Sequence, residues 1–118
     1  MADAENDQPI KIIGICGSNR TGSFNRLLLL AAQRLCPPGA SIEIVEINHL
    51  PIFQGDAELS QPDDVMRFRK KIEECDALLF VSPEHNHSVT ATLKSAIDWA
   101  SRPLEKNSWK GKAAGIMV

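Results

Sequence analysis

The sequence predicts an α/β domain: a doubly wound parallel sheet with helices on both faces, in three layers. Three observations carry that prediction. Short apolar runs alternate with segments of helical periodicity from end to end. Two of the runs are continuously apolar, as strands covered on both faces are. The segments between runs are long enough for right-handed crossovers. The 118 residues suffice for one domain with a sizeable core, expected over residues 10–118 behind a disordered tail at 1–9.

Lys11 to Cys16 reads as the first strand, buried on both faces, with Gly14 permitting close packing. A helix follows over Leu27 to Leu35. Phe24, Leu27, Leu28, Ala31 and Leu35 recur at three- and four-residue steps and form its expected inner face. Cys36-Pro37-Pro38-Gly39 ends it, because a residue before proline is pushed out of the helical region. Ser41 to Ile47 partly alternates and suits an edge strand. Asn48 to Ser60 is a long loop anchored by Ile52 and Phe53. Pro62-Asp63-Asp64 opens the second helix, with Val65, Phe68, Ile72 and Cys75 inside. Arg67, Arg69, Lys70, Lys71, Glu73 and Glu74 form its solvated outer face.

Asp76 to Val81 reads as a fully buried third strand. Ser82 to His87 is its exit loop, and Ser88 or its predecessor opens a third helix with Val89, Leu93, Ala96, Ile97 and Ala100 inside. Arg102-Pro103 closes that helix, and Ala113 to Val118 forms a fourth strand. Setting the first and third strands side by side gives the order 2-1-3-4. It also brings their exit loops together at a topological switch point, where open α/β sheets bind ligands.

Composition excludes several classes. A net charge of −2 offers no basic surplus for nucleic acid. No apolar run approaches the ~20 residues of a membrane helix. Met1 to Pro9 lacks the basic and apolar regions of a secretion signal. Cys16, Cys36 and Cys75 are odd in number and contain no C-x-x-C pair, which fits reduced thiols in a cytoplasm.

The chemistry concentrates in the two exit loops. Cys16-Gly17-Ser18-Asn19-Arg20-Thr21-Gly22-Ser23-Phe24-Asn25 joins a strand to a helix. Helix N-terminal N–H groups lack intrahelical partners, and the helix dipole favours an anion there. Ser18, Ser23 and Asn25 add neutral donors, and Arg20 adds a fork that grips phosphate from two sides. From these residues alone the stretch is either such an anion site or a turn whose Ser or Asn caps the helix. It carries neither the Gly-Lys-Ser/Thr of a P-loop nor the Gly-x-Gly-x-x-Gly dinucleotide fingerprint.

Gly17-Ser18-x-Arg20-x-x-Ser23-x-Asn25 resembles the phosphate loop of the NADPH-dependent FMN reductase family, flavodoxin-like proteins that include quinone, azo-dye and chromate reductases. Ser82-Pro83-Glu84-His85-Asn86-His87-Ser88, followed by Leu93-Lys94-Ser95-Ala96-Ile97-Asp98-Trp99, resembles a second motif of the same family, in the same order. Leu50-Pro51-Ile52-Phe53 with Gly55-Asp56 resembles a third segment. The resemblance implies that Ser18, Arg20, Ser23 and Asn25, with backbone N–H groups near Phe24, hold the FMN phosphate. It implies that Pro83, Glu84, His85 and Asn86 run along the isoalloxazine edge. It further implies hydride transfer from NADPH or NADH through the flavin to a quinone or similar small acceptor, with no side chain required as acid or base. A homodimer or homotetramer is implied too, the helix carrying Asp98 and Trp99 contributing.

His85 stands where the family usually has Tyr. No metal site is expected: His85 and His87 are two apart, but His49 lies far off and no Cys/Asp cluster supports them. Measured against the resemblance, the chain stops in or just after its fourth strand. This makes a truncated, non-catalytic flavodoxin-like fragment the alternative reading, beside an electron-carrier module. Arg20 and the mild charge argue against the carrier, whose phosphate loop is usually free of Arg.

Overall fold

A computed structural model describes residues 8–118; of the tail expected at 1–9, residues 1–7 lie outside the described residues. The elements are β1 (Ile10–Cys16), α1 (Phe24–Arg34), β2 (Ala40–Ile44), α2 (Asp63–Glu74), β3 (Ala77–Val81), α3 (Ala91–Ser101) and β4 (Ala113–Met117). Single 3₁₀ turns lie at Gly55–Ala57 and Leu104–Lys106. The four strands are parallel and ordered β2-β1-β3-β4, as expected from placing the first and third strands together. β2 ends at Ile44 rather than Ile47 and occupies one edge of the sheet.

Two cores lie on opposite faces of this sheet. On one face Ile13 and Ile15 of β1 and Leu78 of β3 pack with Phe68 and Ile72 of α2 and Leu93, Ala96 and Ala100 of α3. On the other, Cys16 and Val81 pack with Leu29 of α1. The result is three layers, with α1 alone on its side among the described residues.

The orientation of α1 departs from the expected face. Phe24 is 86% exposed, and Leu27, Leu28, Ala31 and Leu35 also face outward, while Leu29 is fully buried. Four consecutive leucines make the helix apolar on more than one side, so periodicity does not fix its rotation. Two features do. Ser23 caps the helix, its Oγ accepting from the Asn25 N–H at 3.1 Å, and is itself buried. Gly14 leaves a recess that Leu29 fills, since a Cβ there would lie 2.7 Å from Leu29 Cδ1.

α2 has Val65, Phe68, Ile72 and Cys75 inside, as expected, and burial pushes the Cys75 thiol up. Arg69, expected on the solvated face, is buried instead. Its Nε donates to Ser108 Oγ at 3.0 Å, and its terminal nitrogens donate to Gln61 Oε1 and to the carbonyls of Trp99, Arg102 and Lys106. Ser108 in turn donates to Glu73 Oε2 at 2.6 Å. Burial pushes the Arg69 guanidinium below its ordinary value, with Glu73 opposing. One planar cation thereby satisfies carbonyls in the last turn of α3 and in the irregular chain after it, a task for which five forked donors are suited.

Three further expectations are corrected. Phe53, stacked edge-on against Trp99 with centroids 5.0 Å apart, anchors the long loop, whereas Ile52 is 81% exposed. α3 begins at Ala91 rather than near Ser88, because Thr90 supplies the cap and Val89 lies outside the helix, exposed. β3 is not buried throughout: Ala77, Leu79 and Phe80 are half-buried, while Leu78 and Val81 are buried.

Two outcomes are expected. Arg69→Met removes every one of these donors and should lower the unfolding free energy by about 2–4 kcal/mol in urea denaturation. A loss below 0.5 kcal/mol (roughly the scatter of surface substitutions) would show that water replaces the guanidinium at no cost. β4 is an uncharged edge strand with Ile116 exposed, the kind of edge that templates association. Ile116→Lys should therefore reduce concentration-dependent light scattering without altering the far-UV circular dichroism spectrum.

Candidate functional site

β1 and β3 are adjacent and parallel, so their exit loops leave the same rim of the sheet. Pairing continues beyond the strands: the Gly17 N–H donates to Val81 O at 2.9 Å. Gly17 also lies against the second loop. A Cβ at this position would sit 2.2 Å from Ser82 Oγ and 3.2 Å from Leu93 Cδ2. Only glycine permits this approach, which brings Ser18 to Asn25 and Ser82 to Asn86 together at one place.

The first loop is rich in uncommitted donors. The N–H groups of Ser18, Asn19, Thr21, Gly22 and Phe24 meet no protein acceptor among the described residues. Ser18 Oγ accepts from the Arg20 N–H at 3.2 Å and Ser23 Oγ from the Asn25 N–H, so each serine still has its hydroxyl proton to donate. Arg20 is exposed and makes no ion pair among the described residues. Asn25 is half-buried in the first turn of α1, while the Phe24 side chain points out into solvent. Gly22 takes φ +72° and turns the chain into the helix. Of the two open readings, the cap is observed at Ser23, and the loop around it leaves several N–H donors free among the described residues.

The second loop is a tight hairpin. His85 and Ser88 exchange two backbone hydrogen bonds, at 2.8 and 3.0 Å, around Asn86 and His87. These two residues have φ +52° and +63°, the left-handed pair of a type I′ turn. The N–H groups of Glu84, Asn86 and His87 have no protein acceptor among the described residues, whereas the His85 N–H is spent within the turn. Ser82 Oγ donates to Pro83 O at 2.8 Å. Glu84, His85, Asn86 and His87 are exposed, with His87 Nδ1 3.7 Å from Glu84 Oε1. Beside this loop lies an apolar groove of about 390 Å³ lined by Phe80, Pro83, Leu93, Ile97 and Ile116.

All nine residues singled out from the sequence thus stand on one rim, in two loops joined through Gly17. Sequence reading missed that junction, along with Thr90, whose buried hydroxyl donates to Gly17 O at 2.6 Å and accepts from the Leu93 N–H. The Ser/Thr three residues before an apolar helical position was the available signal for the cap, but nothing in the sequence marked its second partner.

The loops fit a phosphorylated, planar cofactor on chemical grounds. The first offers N–H groups, hydroxyls and a cation to an anion; the second offers N–H groups to the carbonyl edge of a ring. The sequence pattern of the NADPH-dependent FMN reductase family matches residues 10–118. A NAD(P)H:quinone oxidoreductase of Solanum tuberosum is 51% identical over 113 residues, covering 92% of this chain and 57% of that protein. A NAD(P)H-dependent FMN reductase of Pseudomonas aeruginosa is 49% identical over 109 residues, covering 92% and 58%. The solved structure of a flavoenzyme NAD(P)H:(acceptor) oxidoreductase from Paracoccus denitrificans superimposes with a TM-score of 0.84 at 36% identity, covering 91% of this chain and 59% of that one. The chain thus spans less than two-thirds of the length of these relatives.

Gly17→Ala should open the two loops, because backbone and Ser82 must both shift to admit a methyl group. Its expected signature is a lower midpoint of thermal unfolding together with chemical-shift changes at Ser82 and Leu93, measured by NMR. Wild-type shifts at both residues would mean that Gly17 is not packed against Ser82 and Leu93.

Proposed function

The chain belongs to the NADPH-dependent FMN reductase family, and we propose that it is an FMN-dependent NAD(P)H oxidoreductase that passes electrons to quinones or similar small acceptors. The observation that carries this reading is the pair of donor-rich loops fused at Gly17. When bound, FMN would supply the two-electron chemistry between a nicotinamide and the acceptor.

The protein's part is binding and orientation. Ser18, Ser23, Asn25 and the Phe24 N–H are the proposed neutral donors to the phosphate, with Arg20 as its counter-charge. Pro83, Glu84, His85 and Asn86 are proposed to flank the ring. There the free N–H groups of Glu84 and Asn86 suit its carbonyl edge, and the prolyl ring offers an apolar surface. Holding donors in place before the ligand arrives costs less than ordering them on binding. No side chain is assigned a proton to move.

No helix among the described residues is long and apolar enough to cross a membrane. A cytoplasmic location is supported by the three unpaired cysteines. Assembly as a homodimer or homotetramer is supported by the exposed apolar side chains of Ile52, Leu59 and Leu104 outside the sheet.

The test has two stages. The purified chain, with FMN added back, should show a protein-bound flavin spectrum, and it should oxidise NADPH when a quinone is supplied. Binding without turnover would favour an electron-carrier module; the absence of binding would favour a non-catalytic fragment. Arg20→Ala should weaken FMN binding roughly tenfold or more, as loss of a charge-assisted hydrogen bond does. Unchanged affinity in a fluorescence titration would remove Arg20 from the phosphate site.

A further inference from the structure

Both polar groups of the Gly17 residue are held by the second loop's flanks. Its N–H reaches Val81 O at 2.9 Å, and its carbonyl accepts from Thr90 Oγ1 at 2.6 Å. Val81 and Thr90 bracket the segment Ser82 to Val89, so one residue of the first loop closes the second loop at its two ends. Thr90 is only 3% exposed and lies 73 positions from Gly17 in sequence. Its hydroxyl has one proton, given to Gly17, and a lone pair, given to the Leu93 N–H at 3.2 Å. The same oxygen therefore caps α3 and fastens the loop that leads into Ser18.

We infer that Thr90 is a positioning residue for the cofactor site: its hydroxyl locks the phosphate loop to the start of α3, so that the two loops bind as a preformed unit. The inference rests on the FMN reading for its ligand, but not for the lock itself. A buried carbonyl that loses its donor costs the full desolvation of that group. Such a carbonyl regains a partner only by moving toward water. At Gly17 that motion carries Ser18 and the free N–H groups after it out of register. Thr90 touches none of the proposed ligand atoms; it acts through the backbone of Gly17.

The test compares the wild type with Thr90→Val and Thr90→Ser. Valine keeps the shape and removes the hydroxyl; serine keeps the hydroxyl and removes the methyl group. Amide hydrogen exchange is read by NMR without ligand at Gly17, Arg20, Ser23 and Asn25, and FMN affinity by fluorescence titration. Thr90→Val should speed exchange at these four amides and weaken FMN binding, each about tenfold, and Thr90→Ser should restore both. Faster exchange confined to Leu93 and the first turn of α3 would reduce Thr90 to a helix cap and overturn the inference, as would wild-type FMN affinity in Thr90→Val. If wild-type protein takes up no FMN, the functional reading fails while the exchange comparison still decides the lock. If Thr90→Val does not fold, the wild type decides it. A slowly exchanging Thr90 hydroxyl proton with a cross-peak to the Gly17 α-protons supports the lock, and its absence refutes it.

Discussion

The parallel pairing of β1 with β3 is the constraint on which the rest depends. The two strands run Ile12 to Cys16 against Ala77 to Val81 in unbroken register, and the ladder adds one more bond at Gly17. Because both strands are parallel, both exits fall on one rim. Because they are neighbours although the chain visits α1, β2 and α2 between them, no helix intervenes at the exits. A site made of two loops then needs only that each loop have the right chemistry. Gly17 converts adjacency into contact, since any side chain there would push Ser82 and Leu93 away.

Much of this was legible in the sequence. The succession of strands and helices, the inner face of α2 and the two chemical loops follow from apolar periodicity and from polar stretches at strand ends, and setting β1 beside β3 as in a doubly wound sheet gave the observed strand order. Three things were not. The rotation of α1 was hidden because Leu27 to Leu30 satisfy several helical stripes at once; the deciding facts are the Ser23 cap and the Gly14 recess, one local and one in another element. Arg69 was hidden because its partners are mostly carbonyls, and carbonyls have no sequence signature. The start of α3 was hidden because Ser88 and Thr90 are equally good caps by type. The His85–Ser88 hairpin bonds commit Ser88 elsewhere and leave the cap to Thr90.

In the proposed site the two loops meet opposite requirements with different backbone devices. An anion requires several N–H groups free of a competing acceptor, and the proposed phosphate loop leaves five without one among the described residues as it runs from β1 through Gly22 into α1. A planar ring requires donors along a line, at a fixed height above the strand ends. A two-residue hairpin is stiff enough to set that height, and it takes up the His85 and Ser88 N–H groups internally while leaving those of Glu84 and Asn86 outward. Its cost is a histidine in left-handed geometry at His87, of order 1 kcal/mol, where glycine would be unstrained. Strain of that kind persists only where surrounding bonds over-determine it, as the reciprocal His85–Ser88 pair does here.

Stiffness in each loop would be of little use if the loops moved independently, because a ligand gripped at both ends feels the distance between its grips. Each end would then pay its own ordering cost, and the two bonds would add less than their sum. The Gly17 peptide removes that freedom. Val81 O holds its N–H, Thr90 Oγ1 holds its carbonyl, and Ser82 and Leu93 close on its α-carbon. Every one of these partners belongs to the segment that carries the second loop. The separation between the proposed phosphate end and the proposed ring end is accordingly a property of a single glycine's surroundings rather than of either loop. This gives a residue without side-chain chemistry its place at the centre of the proposed site: a cradle that binds by preorganisation must fix its geometry where it binds nothing.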